Sequence, residues 1–160
     1  MAMLEARPKG WLSWRFELCA GGRAIVSMDM AWLTEGGSFV WEGVEYGLSR
    51  EGLWSGDFVL QAGGDTPARA AKPSAFLRRF DVHVGSRHLT LEAASALTRK
   101  FHLVENGSVV GAVTPLHPFS RRCTIVFPDD LTLPVQVFLF WLVALIWRRA
   151  ANAAAASAGS

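Results

Sequence analysis

The sequence predicts a mainly β protein, a closed antiparallel barrel of about 11–12 strands around a buried hydrophobic C-terminal helix. Three observations lead there. Segments of alternating apolar and polar residues fill most of the chain and are punctuated by Gly, Pro, Asn and Asp. A basic pair recurs at a spacing that fits one two-stranded hairpin per repeat. The last long apolar run has no polar side and therefore must be enclosed.

From the N-terminus, Met1 to Gly10 carries Glu5, Arg7, Pro8 and Lys9 without an apolar run, so residues 1–10 are expected to be a flexible lead, not a secretory signal. The single domain is expected over 11–149. Trp14, Phe16, Leu18 and Ala20 alternate with Arg15, Glu17 and Cys19, and after Gly21-Gly22 the pattern resumes with Ala24, Val26, Met28 and Met30. This is a hairpin on a two-residue glycine turn. Further strands are expected near 38–42, 44–48, 57–62 and 68–72. Phe80, Val82 and Val84 then alternate with Asp81 and His83, and Gly85-Ser86-Arg87 returns the chain to Leu89 and Leu91. Phe101 and Leu103 run through Glu105-Asn106-Gly107 into 109–113, where Asn-Gly is the strongest short turn signal of the chain. Cys123, Ile125 and Phe127 form the last strand.

The run Leu131 to Trp147 is broken only by Thr132, Pro134 and Gln136. Pro134 suits a first helical turn, Asp129 and Asp130 precede the positive end of the helix dipole, and Arg148 and Arg149 are expected at its negative end. From Val135 to Trp147 the helix would measure roughly 20 Å, short of a hydrocarbon core of roughly 30 Å. A core helix over 134–149 is therefore predicted, with Phe138, Trp141, Leu142 and Leu145 among its buried residues, and 150–160 as an Ala-rich flexible tail. About eight strands enclose only side chains, whereas eleven or twelve leave room for a helix roughly 10–12 Å wide. Gln136, polar within this run, is expected to bond to backbone near the barrel mouth.

Arg78-Arg79-Phe80, Arg99-Lys100-Phe101 and Arg121-Arg122-Cys123 recur after 21 and 22 residues. Period two places Arg79, Lys100 and Arg122 on the outward face, with Arg78, Arg99 and Arg121 flanking them. These six residues are the candidate anion-binding patch; Asp81 and Glu92 are the acids available to pair with it instead. In the third repeat the returning strand is expected to be replaced by the helix.

The charge of +2, from 16 basic and 14 acidic residues, argues for no nucleic-acid partner. Cys19 and Cys123 lack metal-ligand spacing and are expected to be buried free thiols. His83 and His88 flank a hairpin, and His102 and His117 stand alone, without zinc-site spacing. The Gly pairs at 21, 36 and 63 are expected to be turns. No nucleophile elbow, P-loop or dinucleotide fingerprint occurs, so no catalytic residue, metal or cofactor is assigned and an enzyme is not expected. Trp11, Trp32 and Trp54 fall near strand ends, where exposure would mark a rim for a ligand or membrane surface.

A barrel of about twelve strands on a hydrophobic C-terminal helix resembles the tubby-like fold, shared by the tubby C-terminal domain, phospholipid scramblases and LURP-one-related proteins. The segments that carry the resemblance are Gly56-Asp57-Phe58-Val59-Leu60, Ala71-Lys72-Pro73-Ser74-Ala75-Phe76 leading into Arg78-Arg79-Phe80, and Leu133-Pro134-Val135-Gln136-Val137-Phe138. They are similar to a small bacterial branch of that group, and the likeness extends over Trp14 to Arg149. It implies association with anionic lipid headgroups or proteins and carries over no individual residue role. The expectation is a monomeric, non-catalytic barrel in the cytoplasm, peripheral at the inner membrane, that binds anionic lipid headgroups or an acidic protein. The alternatives are a tail-anchored membrane protein using the 131–147 helix and an enzyme of unknown reaction.

Overall fold

The computed structural model of the chain describes residues 2–10, 13–31, 35–52, 56–74 and 76–159. Within them twelve antiparallel strands close into one barrel. In order they are β1 (Met3–Pro8), β2 (Phe16–Ala20), β3 (Arg23–Met30), β4 (Gly37–Trp41), β5 (Val44–Glu51), β6 (Asp57–Ala62), β7 (Asp65–Ala71), β8 (Arg79–Val84), β9 (Arg87–Ala93), β10 (Phe101–Glu105), β11 (Ser108–Pro115) and β12 (Cys123–Val126). The helix α1 (Leu133–Ala158) follows. Each strand pairs with its sequence neighbours, and β1 pairs with β12 to close the wall, Leu4 opposite Ile125 and Ala6 opposite Cys123.

Sequence alternation becomes burial directly. Phe16, Phe58, Phe80 and Phe101 open their strands or stand one residue in, and all are buried in the core. Phe16 meets Phe140 edge-on at 5.0 Å, and Phe58 meets Trp141 at 5.7 Å. On α1, Phe138, Trp141, Leu142 and Leu145 are fully buried, as expected. Leu133–Ala158 is long and apolar enough to cross a membrane, but 72% of its most apolar 18-residue window is buried inside the barrel. The Trp141 indole N–H has no hydrogen-bond partner among the described residues.

The two ends of the barrel differ. At one end, called narrow here for its short connections as the other is called wide for its long ones, tight turns such as Gly21-Gly22 and Asn106-Gly107 join strands within a hairpin; Asn106 and Gly107 both have positive φ, 51° and 79°, the geometry that favours Asn-Gly. The helix enters here, where Gln136 Nε2 donates to the Leu131 carbonyl at 2.9 Å. Longer connections, 9–15, 31–36, 52–56, 72–78, 94–100 and 116–122, gather at the wide end, and the helix leaves the barrel between them.

Five expectations are corrected. Residues 1–10 are not a loose lead: Met3–Pro8 is a strand, because the wall would otherwise have two open edges, and Leu4 and Ala6 alternate inward to fill the gap. The strand missing beside β12 is therefore β1, not the helix. Residues 150–158 continue α1, since Ala is the best helix former and a helix already nucleated in the barrel needs only propagation. Arg148 and Arg149 accordingly lie within the helix rather than at its end. Finally, Gly37 of the Gly36-Gly37 pair begins β4 instead of making a turn; a Cβ there would run into the Asp29 carbonyl of β3.

Candidate functional site at the wide end

Within each basic pair the two residues part company. Phe80, Phe101 and Cys123 point inward, which turns Arg79, Lys100 and Arg122 to the outer wall as expected. Arg79 sits opposite Glu92 and 3.5 Å from Asp81, and Arg122 pairs with Glu5 of β1. This row is largely compensated by acids. Lys100 hydrogen-bonds through its backbone N–H to the Thr98 hydroxyl at 3.1 Å.

Arg78, Arg99 and Arg121 form a second series with a different task. Each lies at the end of a wide-end connection and reaches forward to the next one. Arg78 donates to the carbonyls of Ser95, Ala96 and Thr98 at 2.7, 2.6 and 2.6 Å. Arg99 donates to Pro118 and Ser120 at 3.0 and 2.7 Å. Arg121 donates to Gly10 at 2.9 Å and to Ser13, carrying the series across the chain ends to the first connection. A repeated contact at a repeated position links four consecutive connections.

These bonds satisfy donors, but a neutral carbonyl does not cancel a charge. Among the described residues, Arg78 and Arg99 form no ion pair with a carboxylate. Burial holds the Arg99 guanidinium below its ordinary value, and Arg121 is lowered first by burial and then by the charge of Arg99. Two half-buried cations thus stand near one another. Beside them is a cavity of about 640 Å³, its walls including Arg78, Arg99, Arg121, Trp147, Phe119 and Ala151. Its volume falls in the range of small-molecule sites.

The exiting helix is clasped at the same mouth. Arg149 Nη2 donates to Glu35 Oε2 at 2.6 Å with Nε bonding both oxygens, and Arg148 donates to the Ala31 carbonyl at 2.7 Å. Lys72 Nζ donates to the Ser74 and Leu77 carbonyls; burial, then the nearby Arg149, lower its pKa.

Charge is segregated along the axis. The six wide-end connections contain eight basic residues in sequence and one acid, Glu35. At the narrow end stand Glu42, Asp65, Glu105, Asp129 and Asp130, with Arg87 bridging Glu105 at 2.9 Å and Asp130 at 3.1 Å. Acids on the adjoining strands pair with part of the basic set, Lys9 with Glu17, Arg15 with Asp29 and Arg122 with Glu5, whereas Arg78 and Arg99 form no such pair among the described residues. A count over the whole chain hides the difference between the ends, whereas a count by connection exposes it.

The remaining candidates are placed as follows. Cys19 and Cys123 are both buried free thiols, and desolvation pushes Cys123 up to about 12. His83 and His88 face each other across β8 and β9 with rings stacked at 4.6 Å. Among the described residues no group of three His, Cys, Asp or Glu is placed to hold a metal ion. Trp11, Trp32 and Trp54 lie outside the described residues. In comparisons with known proteins, no family model, no curated protein and no solved structure matches this chain.

Proposed function

We propose that the barrel is a binding module whose wide end docks onto anionic lipid headgroups. The observation that carries this reading is the charge distribution: eight basic residues against Glu35 in the wide-end connections, where Arg78 and Arg99 form no ion pair among the described residues, and five acids at the other end. An anionic surface would attract one end and repel the other, so the same distribution supplies orientation as well as affinity. Each basic residue near such a surface is worth about 1 kcal/mol, so a handful in contact is enough for reversible peripheral binding. Arg78 and Arg99 add charge with hydrogen-bonded, ordered guanidinium groups, and the adjoining cavity offers an apolar wall to the part of a lipid below its headgroup. The architecture is also consistent with the tubby-like resemblance, which implies binding rather than a reaction.

A C-terminal tail anchor would draw on side chains that the barrel already uses as its core, from Val135 to Trp147. Membrane insertion of that helix would cost the barrel its filling.

The test is sedimentation of the full chain with neutral and with anionic phospholipid vesicles over a salt series. Binding is expected to the anionic vesicles alone and to weaken steadily as salt rises. Equal binding to both, or none to either, overturns the proposal; capture by polyglutamate but not by anionic vesicles overturns it in favour of an acidic protein partner.

A further inference from the structure

The connections at the wide end carry a second periodic feature besides their charge. Phe76 is 96% exposed, Leu97 99% and Phe119 93%. These three are each in a different connection, 72–78, 94–100 and 116–122, and each stands two residues before the arginine that clasps the next connection. Other exposed apolar side chains among the described residues are more sheltered, the most open being Met3 at 61% and Val109 at 59%. A bulky apolar residue held fully in water at the same place in three successive repeats is a patterned exposure, not the scattered kind that needs no explanation.

The sequence extends the pattern. Positions 11, 32, 54, 76, 97 and 119 are Trp, Trp, Trp, Phe, Leu and Phe, at intervals of 21 or 22 residues, one for each wide-end connection. For Phe76, Leu97 and Phe119 the structure adds the framework on which they are mounted. At a strand spacing of about 4.8 Å and a tilt of about 40°, a twelve-strand barrel is about 24 Å across, and neighbouring wide-end connections stand about 12 Å apart. Apolar tips at that separation around a ring do not merge into one patch for a protein groove. They suit a deformable surface that each can enter separately.

We infer that Phe76, Leu97 and Phe119 are membrane-inserting tips, which sink below the headgroups of a lipid bilayer while Arg78, Arg99 and Arg121 remain at headgroup level. This rests on the docking reading above and specifies its geometry. The barrel axis stands along the membrane normal, wide end down, with the narrow acidic end pointing away. Aromatic and aliphatic side chains belong at that depth, with basic residues just above them.

The experiment uses the full chain with Leu97→Cys and, separately, Phe119→Cys, each labelled with an environment-sensitive fluorophore; Cys19 and Cys123 are buried and stay unlabelled. Neutral and anionic vesicles carry a quencher on the acyl chain. On anionic vesicles both labels are expected to be quenched from the acyl chain and shielded from aqueous iodide, and a label at Glu42→Cys on the narrow end is not. Phe76→Ser with Leu97→Ser and Phe119→Ser should weaken vesicle binding at least about tenfold and leave a residue of binding that salt removes. Bound protein whose labels stay open to iodide overturns the insertion and leaves headgroup binding standing. Insertion into neutral vesicles without preference for anionic ones overturns the headgroup reading alone, and absence of binding to either overturns both.

Discussion

The guanidinium of Arg99 lies 4.6 Å over the ring of Trp147 while the Arg99 carbonyl accepts the Trp147 indole N–H at 3.0 Å. Two residues 48 positions apart thereby hold each other twice, once through the Arg99 side chain and once through its backbone, at the point where the helix leaves the barrel. Arg99 also reaches forward to Pro118 and Ser120, so one residue joins the helix to two neighbouring connections. The same side chain that positions the mouth leaves its charge there.

Trp147→Phe keeps much of the packing and removes the indole donor. A loss of about 1 kcal/mol is expected from the broken hydrogen bond. Because the contact anchors 94–100, amide exchange in that connection should quicken while exchange in the Asn106-Gly107 turn does not change. Uniform quickening across the barrel would show that the contact has no local role.

Truncation after Thr132 removes the whole of α1 and thirteen buried residues. Each large side chain among them stabilises the fold by roughly 1.5–3 kcal/mol, against roughly 5–15 kcal/mol for an entire domain. The truncated chain is expected to show no cooperative unfolding transition. Retained cooperativity with native strand content would mean that the helix is not the core.

Glu5 of β1 accepts hydrogen bonds from Arg7 and from Arg122, the residue just before β12, and these lower its carboxyl from 4.5 to about 2. A carboxyl lowered on folding stabilises the native state above its unfolded pKa, and that contribution is lost as pH falls from about 4.5 through 2. Glu5→Gln should therefore be less stable than the parent at neutral pH, and the gap between their urea midpoints should close toward pH 2. A gap that does not vary with pH would contradict this account.

Gly111 of β11 has no room for a side chain. A Cβ would lie 2.6 Å from the Val126 carbonyl oxygen and 2.9 Å from Cδ1 of Phe127. Gly111→Ala is expected to cost about 1–3 kcal/mol by forcing β11 from β12. An unchanged melting temperature would show that the two strands are less closely fitted.

Most of the wall was legible because alternation is a strong signal where one face meets a hydrophobic core. Alternation alone assigns Phe80, Val82, Leu89 and Leu91 to one side, and all four are buried. β1 escaped because MLEARP has neither β-branched nor aromatic residues and ends in Pro8; its strand identity comes from the partners on either side, β2 and β12. The tail escaped for the opposite reason, since an alanine run without an amphipathic pattern is extended as helix only because the barrel has already formed the preceding turns. The basic repeat was legible as a repeat but not as two series. Adjacent arginines look alike in sequence, and only the direction of each side chain separates Arg78, which bonds to carbonyls, from Arg79, which stands among acids. In the sequence only Trp11, Trp32 and Trp54 stood out as candidate rim residues; Phe76, Leu97 and Phe119 look like ordinary core residues until their exposure is seen.

Hydrogen exchange of the full chain with and without anionic vesicles tests the central claim, that the wide end is the binding end, most directly. The account predicts new protection in 72–78, 94–100 and 116–122 and in the helix near Trp147, with no change at the turns 21–22, 63–64 and 106–107. Protection confined to those turns, or spread evenly around the outer wall, would contradict it.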